Sequence, residues 1–139
     1  MAAAGDELHG ADGFRLRLVR MDPEVLEMEA TYSGAGGLPP EHLHPQQSER
    51  FEVLEGAVHT IVDGHEQRHT AGDTFEVPRA TPHQMAADGP ARLRWEVRPA
   101  LRTAEFFERL TTGPGADDGP SFYADLLDDF SDEIRLTGR

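Results

Sequence analysis

The sequence predicts an all-β fold of short antiparallel strands, followed by a short helical extension at the C-terminal end. The first supporting observation is the alternation of apolar with charged side chains in residues 14–18, 26–32 and 92–98, which is typical of half-buried strands. The second is that turn-forming pairs, such as Asp63-Gly64, separate these segments every several residues. The third is a change to helical spacing of the apolar residues after Pro99.

Composition narrows the classes of function. The chain has 139 residues, enough for one domain with a buried core, and a net charge of −13. This charge argues against a nucleic-acid partner, because phosphate binding needs a basic patch. Cysteine is absent, which excludes disulfides, thiolate catalysis and iron–sulfur ligation. All 13 basic residues are arginine, so no lysine is available to form a Schiff base with a substrate or with pyridoxal.

The composition also bears on localisation. No apolar run is long enough to span a membrane, and residues 1–10 lack the basic and apolar regions of a signal peptide. Ala, Gly, Arg and Asp are abundant while Lys and Asn are absent, which suggests a GC-rich bacterial genome. We therefore expect a cytoplasmic bacterial protein without a membrane partner.

The chain divides into three parts. Residues 1–13 are small and polar and are predicted to form a poorly ordered tail. Residues 14–98 carry the strand pattern and are predicted to form a β-barrel. Residues 99–139 are predicted to form a helical extension, with Thr103 and Ser121 as N-caps and residues 113–115 as the end of the first helix.

The two predicted helices carry apolar side chains that need a surface to cover: Phe106, Phe107, Leu110, Phe122, Leu126, Leu127 and Phe130. We expect the extension to pack on the barrel or at a dimer interface. The alternative is a lid over the mouth of the barrel.

Residues 36–56, GGLPPEHLHPQQSERFEVLEG, carry the most informative pattern in the chain. His42 and His44 are two positions apart, so on an extended segment their imidazoles share a face. We expect a following antiparallel strand to bring Glu49 alongside them, and His83 supplies a third imidazole later in the chain. Imidazoles and a carboxylate that converge on one point form the ligand set of a transition metal. We interpret His42, His44, Glu49 and His83 as the ligands of one divalent ion of Fe, Mn, Ni, Co or Zn.

The spacing of ligand, glycine and proline residues in this region resembles the two motifs of the cupin superfamily. The first motif is matched by Gly36, His42, His44, Glu49 and Gly56, and the second by Gly72, Pro78 and His83. The family has a glycine two positions after the proline and an asparagine four after the histidine, where this chain has Ala80 and Ala87. The motifs cover residues 36–87, and the flanking strands extend the resemblance to roughly 14–97.

The resemblance implies a cupin double-stranded β-helix, which is an antiparallel jelly-roll barrel. In similar proteins the same four ligands serve dioxygenases, isomerases, cyclases and decarboxylases, so the fold and the ligands do not fix the reaction. We expect a metal-dependent enzyme that acts on a small enolic, aromatic or carboxylate-bearing molecule, with dioxygenase-type chemistry. The alternatives are a redox-neutral cyclase or isomerase with a polyketide-like or sugar-like substrate, and a non-catalytic ligand-binding or sensory cupin.

Alternation along the strands also predicts a substrate pocket. Residues two or four positions from a metal ligand share its face of the sheet. This rule, together with an inward orientation for the tryptophan, predicts four apolar wall residues: Phe51, Val53, Met85 and Trp95.

Four histidines lie outside the motifs. His9, in the predicted tail, and His65 and His69, in the hairpin that follows residue 62, are expected to be solvated. His59 lies in mid-strand, where a core or outer-face position is expected and an inward one is the alternative.

We also expect a homodimer, because a jelly roll has sheet edges that need covering. The segments at 14–18 and 26–32 are the candidates to pair across subunits. Sedimentation at micromolar concentration tests this expectation, and a monomer would contradict it.

Overall fold

The computed structural model describes residues 2–10, 13–113 and 122–137. Within them, eleven strands form two antiparallel sheets that enclose one hydrophobic core. The strands are β1 (Glu7–His9), β2 (Arg15–Met21), β3 (Leu26–Tyr32), β4 (His42–Leu43), β5 (Ser48–Glu55), β6 (Ala57–Val62), β7 (His65–Thr70), β8 (Thr74–Val77), β9 (His83–Ala87), β10 (Ala91–Arg98) and β11 (Arg135–Leu136). The helices are α1 (Thr103–Thr112) and α2 (Phe122–Asp129).

The order of strands is that of a jelly roll. One sheet has the order β1-β2-β3-β10-β5-β8 and the other the order β11-β4-β9-β6-β7. Consecutive strands β4 and β5 therefore lie in different sheets. The predicted all-β class with a C-terminal helical part is confirmed.

Alternation along β2 and β3 explains how the core forms. Leu16 and Leu18 on β2, and Met28 on β3, are fully buried on the inner face. On the outer face, Arg17 lies 3.9 Å from the Glu29 carboxylate of the neighbouring strand. Exposed pairs of this kind add little stability, so the inner face holds the sheets together.

Two turns show how the local sequence directs the chain. Asp63 and Gly64 have φ of 50° and 80°, as a two-residue type I′ hairpin requires. Ala80 stands where the cupin motif has glycine, yet it adopts a left-handed φ of 60°. Its N–H donates to the carbonyl of His44 at 2.8 Å. The turn before β9 is therefore retained without its glycine, at a conformational cost of about 1–2 kcal/mol.

The prediction of a poorly ordered N-terminal tail is wrong for residues 7–9. These residues form β1, which pairs with β2 in the register Glu7↔Arg17, Leu8↔Leu16 and His9↔Arg15. Leu8 packs against the core, and this contact stabilises the otherwise polar segment as a strand. Residues 1, 11 and 12 of the predicted tail lie outside the described residues.

This arrangement removes the predicted route to a dimer. β2 pairs with β1 on one side and with β3 on the other, while β3 pairs with β2 and β10. β1 covers the edge of β2 at residues 15–17, and β3 lies between two strands, so these parts of the predicted segments are already paired within the chain. The homodimer itself stays a prediction.

The start of the helical extension also differs from expectation. α1 begins after Arg102 without a side-chain cap, and Thr103 is its first helical residue rather than its N-cap. The hydroxyl of Thr103 is instead engaged by side chains from outside the helix. Gly113 ends α1 with a φ of 73°, whereas Ser121 and residues 114–115 lie outside the described residues.

After α2 the chain returns to the barrel. β11 pairs with β4, in the register Arg135↔Leu43 and Leu136↔His42. The extension thus ends as a strand beside the first histidine of the motif. None of the helices in the described residues is long and apolar enough to cross a membrane.

The fold predicts a large difference between two glycine substitutions. Gly56 has a φ of 77°, and a Cβ there would overlap the carbonyl oxygen of Pro90 and lie 2.9 Å from Cα of Ala91. Gly64 has a similar φ of 80° with open space around it. Gly56→Ala should therefore cost more than the roughly 1–2 kcal/mol of left-handed strain that Gly64→Ala costs. Urea unfolding measures both variants, and equal losses would contradict the close packing at residue 56.

Candidate metal centre

Three histidine side chains converge at one end of the barrel. The ligating nitrogens of His42, His44 and His83 all lie within 4.8 Å of one another. His42 and His83 are directly opposite each other in the pairing of β4 with β9, and their ring centroids are 4.3 Å apart. His44 follows β4 and lies with its ring centroid 5.2 Å from that of His42. The three imidazoles predicted from spacing therefore form one cluster.

Backbone carbonyls determine which ring nitrogen of each histidine is free. The Nδ1 atoms of His42, His44 and His83 lie 3.2, 2.8 and 2.8 Å from the carbonyl oxygens of Pro40, Glu133 and Thr81. A carbonyl oxygen only accepts, so each Nδ1 carries a hydrogen, and in the neutral imidazole each Nε2 then has the lone pair. Histidines that bind metal have this arrangement, in which the outer N–H is held and the other nitrogen faces the ion.

Glu49 faces the cluster from β5, in the opposite sheet. It is 3% exposed, and its Oε2 accepts a hydrogen bond from Trp95 Nε1 at 2.8 Å. Its Oε1 is buried without a hydrogen bond and lies 3.2 Å from His44 Nε2 and 3.1 Å from His83 Nε2. A lone pair on Nε2 and one on the carboxylate repel each other at this distance, unless a proton or a metal cation lies between them. The donor set therefore fits a divalent transition metal.

Only the three histidines form a group in which all ligating atoms of the described residues lie close to one another. Glu49 is therefore a proposed fourth ligand. Its carboxylate comes from the facing sheet rather than from a strand that pairs with β4, because residues 44–47 cross from one sheet to the other. The sequence predicted that a following strand brings Glu49 alongside the histidines, and β5 does so from the opposite sheet.

The electrostatics of the cluster favour a cation. Burial raises the pKa of Glu49, but His44 and His83 outweigh this effect, because either imidazole in its protonated form donates to the carboxylate and adds positive charge, and they hold this pKa far below its usual range. Burial opposes protonation of His44 as well, yet the nearby Glu49 carboxylate raises its pKa. Burial and then the charge of His83 lower the pKa of His42 to about 4. At neutral pH the cluster thus holds a buried carboxylate that attracts positive charge and a neutral imidazole able to ligate it.

The orientation of His44 does not follow from alternation alone. β4 ends at Leu43, so His44 lies outside the hydrogen-bonded ladder. Its ring is instead held by the carbonyl of Glu133, 89 residues away. The sequence offered no local pattern from which this contact could be predicted.

A cavity of about 440 Å³ opens next to the cluster of His42, His44 and His83. Three of the predicted wall residues, Phe51, Met85 and Trp95, line it. Val53 does not, because it is directed into the hydrophobic core opposite Leu93 and is only 1% exposed. The prediction that Val53 is a wall residue is therefore wrong, and Val53 belongs to the hydrophobic core.

The cavity wall is largely aromatic. The ring of Phe51 stacks between those of Phe75 and Trp95, with centroid distances of 4.8 and 5.3 Å. Phe75 was not predicted as a wall residue, although it is directly opposite Phe51 in the pairing of β5 with β8. Phe75 could be identified as a wall residue only once the register of β5 with β8 was known.

Tyr32 is a polar residue that the sequence prediction missed. It lines the cavity from the end of β3 and continues the inward row that includes Met28 and Ala30. Burial, and then the charge of Glu49, raise the pKa of Tyr32 to about 12. Its hydroxyl is therefore protonated at neutral pH and can donate a hydrogen bond. Its place in the alternating segment 26–32 was the pattern that could have identified it.

The two helices cover the cavity. They contribute Phe106, Phe107, Leu110, Tyr123, Leu126 and Leu127 to its lining. Phe106 also packs with Leu126 and Phe130 in a small core of the extension. Phe107 of α1 also packs against the core of the barrel.

The other histidines take different positions. The prediction of a solvated His69 is wrong, because it is 7% exposed, contacts Thr60 Oγ1 through Nε2 at 3.1 Å and stacks on Phe75. His59 lies on the outer face, where its Nδ1 is 2.6 Å from the Asp88 carboxylate. His9 and His65 are exposed.

Comparison with known proteins agrees with this architecture. Residues 29–97 match the model of the cupin domain family. No curated protein sequence matches the chain at a significant level. The structure is similar to KdgF from Halomonas sp., with 20% identity, coverage of 71% of this chain and 90% of that one, and a TM-score of 0.64.

Two further solved structures share the fold. An RmlC-like cupin from Shewanella frigidimarina is 24% identical, with 72% of this chain and 88% of that one covered and a TM-score of 0.65. Pac13, a nucleoside dehydratase from Streptomyces, is 17% identical, with 73% and 81% covered and a TM-score of 0.59. At such identities these similarities establish the fold alone. Together with the family match and the two motifs, they show that this chain belongs to the cupin superfamily.

Proposed function

We propose that this cupin binds one divalent transition metal through His42, His44, His83 and Glu49, and that it acts on a small, mainly apolar, enolic or aromatic molecule. The observation that carries the proposal is that the metal cluster forms one end of a cavity whose other walls are apolar and aromatic. A volume of about 440 Å³ is within the usual range for small-molecule sites.

The lining favours a polyketide-like or aromatic molecule over a sugar. The hydroxyls of Thr60 and Thr103 and the side-chain amide of Gln47 already make hydrogen bonds within the protein. Among the described polar side chains of the barrel wall, Tyr32 is the one whose hydroxyl has no such partner. Several sugar hydroxyls would be left without partners there, each at a cost of about 1–3 kcal/mol. Aromatic rings gain from stacking on a wall formed by Phe51 and Trp95.

The residues of the site have separate tasks. A bound divalent ion supplies Lewis acidity and, if it is redox-active, electrons for reaction with dioxygen. Trp95 holds one oxygen of Glu49, which leaves the other directed at the cluster. Tyr32 donates a hydrogen bond to a substrate oxygen, and the apolar walls and helices exclude water.

Two kinds of reaction are compatible with this site. We favour dioxygenase-type chemistry, because a histidine-rich ligand set suits iron(II) and an apolar cavity protects reactive intermediates from water. The second candidate is a redox-neutral cyclase or isomerase. The observation that favours it is that Tyr32 offers a neutral hydroxyl as a proton donor in the cavity, near enough to Glu49 for that charge to raise its pKa.

Dioxygen uptake tests the choice. Protein loaded with iron(II) is mixed with catechol or with the enolic probe 2,4-pentanedione in a sealed oxygen electrode, and the products are analysed. We expect uptake that requires both protein and metal. Conversion without uptake would replace the dioxygenase by the redox-neutral alternative, and tight binding without any conversion would indicate a non-catalytic cupin.

Loss of a ligand should abolish tight metal binding. His44→Ala removes one imidazole, so zinc affinity should fall by more than the ~10–100-fold typical of residues that only hold a ligand in place. Competition with a chromophoric chelator measures the affinity. His65→Ala, at an exposed position on β7, is the matched control and should bind zinc like the wild type. Unchanged zinc affinity in His44→Ala would exclude the proposed centre.

The metal-free protein should lose stability on mild acidification because of His42. Its unfolded form takes up a proton near pH 6.5, whereas burial in the folded form lowers the pKa to about 4. A depressed folded pKa means that stability is present above the unfolded value and is lost as the pH falls through this window. From about pH 7 to about pH 5, the wild type should lose up to about 2 kcal/mol more than His42→Gln. Urea unfolding in chelator measures both, and equal losses would disprove the effect.

A further inference from the structure

Glu133 connects the helical extension to a proposed metal ligand. It lies after α2, is 3% exposed and lines the cavity. Its backbone carbonyl accepts the hydrogen bond from His44 Nδ1 at 2.8 Å. Its carboxylate oxygen Oε1 accepts hydrogen bonds from the backbone N–H of Arg102 at 2.8 Å and from the hydroxyl of Thr103 at 3.3 Å. The two ends of one residue thus contact a metal ligand and the start of α1.

Two electrostatic contacts hold the Glu133 carboxylate in place. It lies at the N-terminal end of α1, where the helix dipole favours a negative charge. Its second oxygen makes no hydrogen bond but lies 3.4 Å from Nε of Arg102, and burial makes loss of this ion pair costly. Because the side chain is anchored, the backbone carbonyl of the same residue has little freedom to move away from His44.

A neighbouring side chain strengthens the connection. Gln47 lies between two of the proposed ligands in the sequence and is 1% exposed. Its amide donates to the hydroxyl of Thr103 at 2.7 Å and to the carbonyl of Pro99 at 2.9 Å. Gln47 and Glu133 therefore both connect the start of α1 to the chain segment that carries the proposed ligands.

A second contact path reaches Glu49. The ring of Phe107 on α1 packs edge-on against Trp95, with centroids 5.2 Å apart. The indole N–H of Trp95 in turn holds the carboxylate of Glu49 at 2.8 Å. The extension thus supports ligands that come from both sheets.

We propose that Glu133 is a positioning residue for His44 and that it couples metal binding to the packing of α1 and α2 on the barrel. The inference rests on the proposed function, because it presupposes that the cluster binds a metal. It concerns a segment beyond the matched cupin region, which ends at residue 97. Coupling of this kind is reciprocal: the extension strengthens metal binding, and metal binding stabilises the extension to the same degree.

Substitution of Glu133 tests the first half of the coupling, with zinc as the probe. Glu133→Ala should weaken zinc binding by about 10–100-fold, because the carbonyl that holds His44 loses its anchor. Glu133→Gln keeps an acceptor for the Arg102 N–H and should restore most of the affinity. Asp132→Asn is the matched control, because its carboxylate is exposed and contacts only Arg102 among these residues. Wild-type zinc affinity in Glu133→Ala would overturn the inference.

Limited trypsin digestion tests the second half on the wild-type protein, so a poorly folded variant does not leave the question open. Arg109 on α1 is a cleavage site in the extension. Saturating zinc should slow cleavage after Arg109, whereas cleavage of a free arginine peptide should be unaffected. An unchanged rate after Arg109 would disprove the coupling. Absence of zinc binding by the wild type would instead contradict the proposed function itself, so the two failures can be told apart.

Discussion

The buried carboxylate of Glu49 is the constraint on which the rest of this site depends. A charge withdrawn from water costs several kcal/mol unless it is compensated. One oxygen receives the indole N–H of Trp95, and the other faces imidazole nitrogens from the opposite sheet. Compensation therefore requires that both sheets stay in register across the core. A bound metal ion would complete it, since a cation relieves the repulsion among the lone pairs that meet there.

The same constraint explains the surroundings of the cluster. An apolar cavity makes each electrostatic contact inside it stronger than in water, and its lining here is largely aromatic and aliphatic. The helical extension is more than a cover, because Glu133 and Gln47 fasten it to the chain segment that carries the histidines. The same helical extension thus lines the cavity that would accept a small molecule and holds the chain segment that carries the proposed metal-binding histidines.

Much of the fold and of the candidate site was predictable, because the patterns involved are local. Strands with one buried face repeat every two residues, so the segments that became β2, β3 and β10 could be recognised. The type I′ turn at Asp63-Gly64 follows from the residues that tolerate positive φ. The three clustered histidines were found from spacing and from the resemblance to cupins. Phe51 and Met85 followed from alternation once a ligand on the same face was assumed, and Trp95 followed from an assumed inward orientation.

The sequence by itself therefore determined the class of fold, the strand faces and the residue types of the metal cluster. Tertiary structure decided that Glu49 faces the histidines from the other sheet, that Val53 belongs to the core and that His69 is buried. It also decided the orientation of His44, which depends on a carbonyl 89 residues away. The physical reason is that periodicity reports which face of a strand is apolar, whereas pairing, crossing between sheets and long-range hydrogen bonds depend on which distant segments the folded chain brings together.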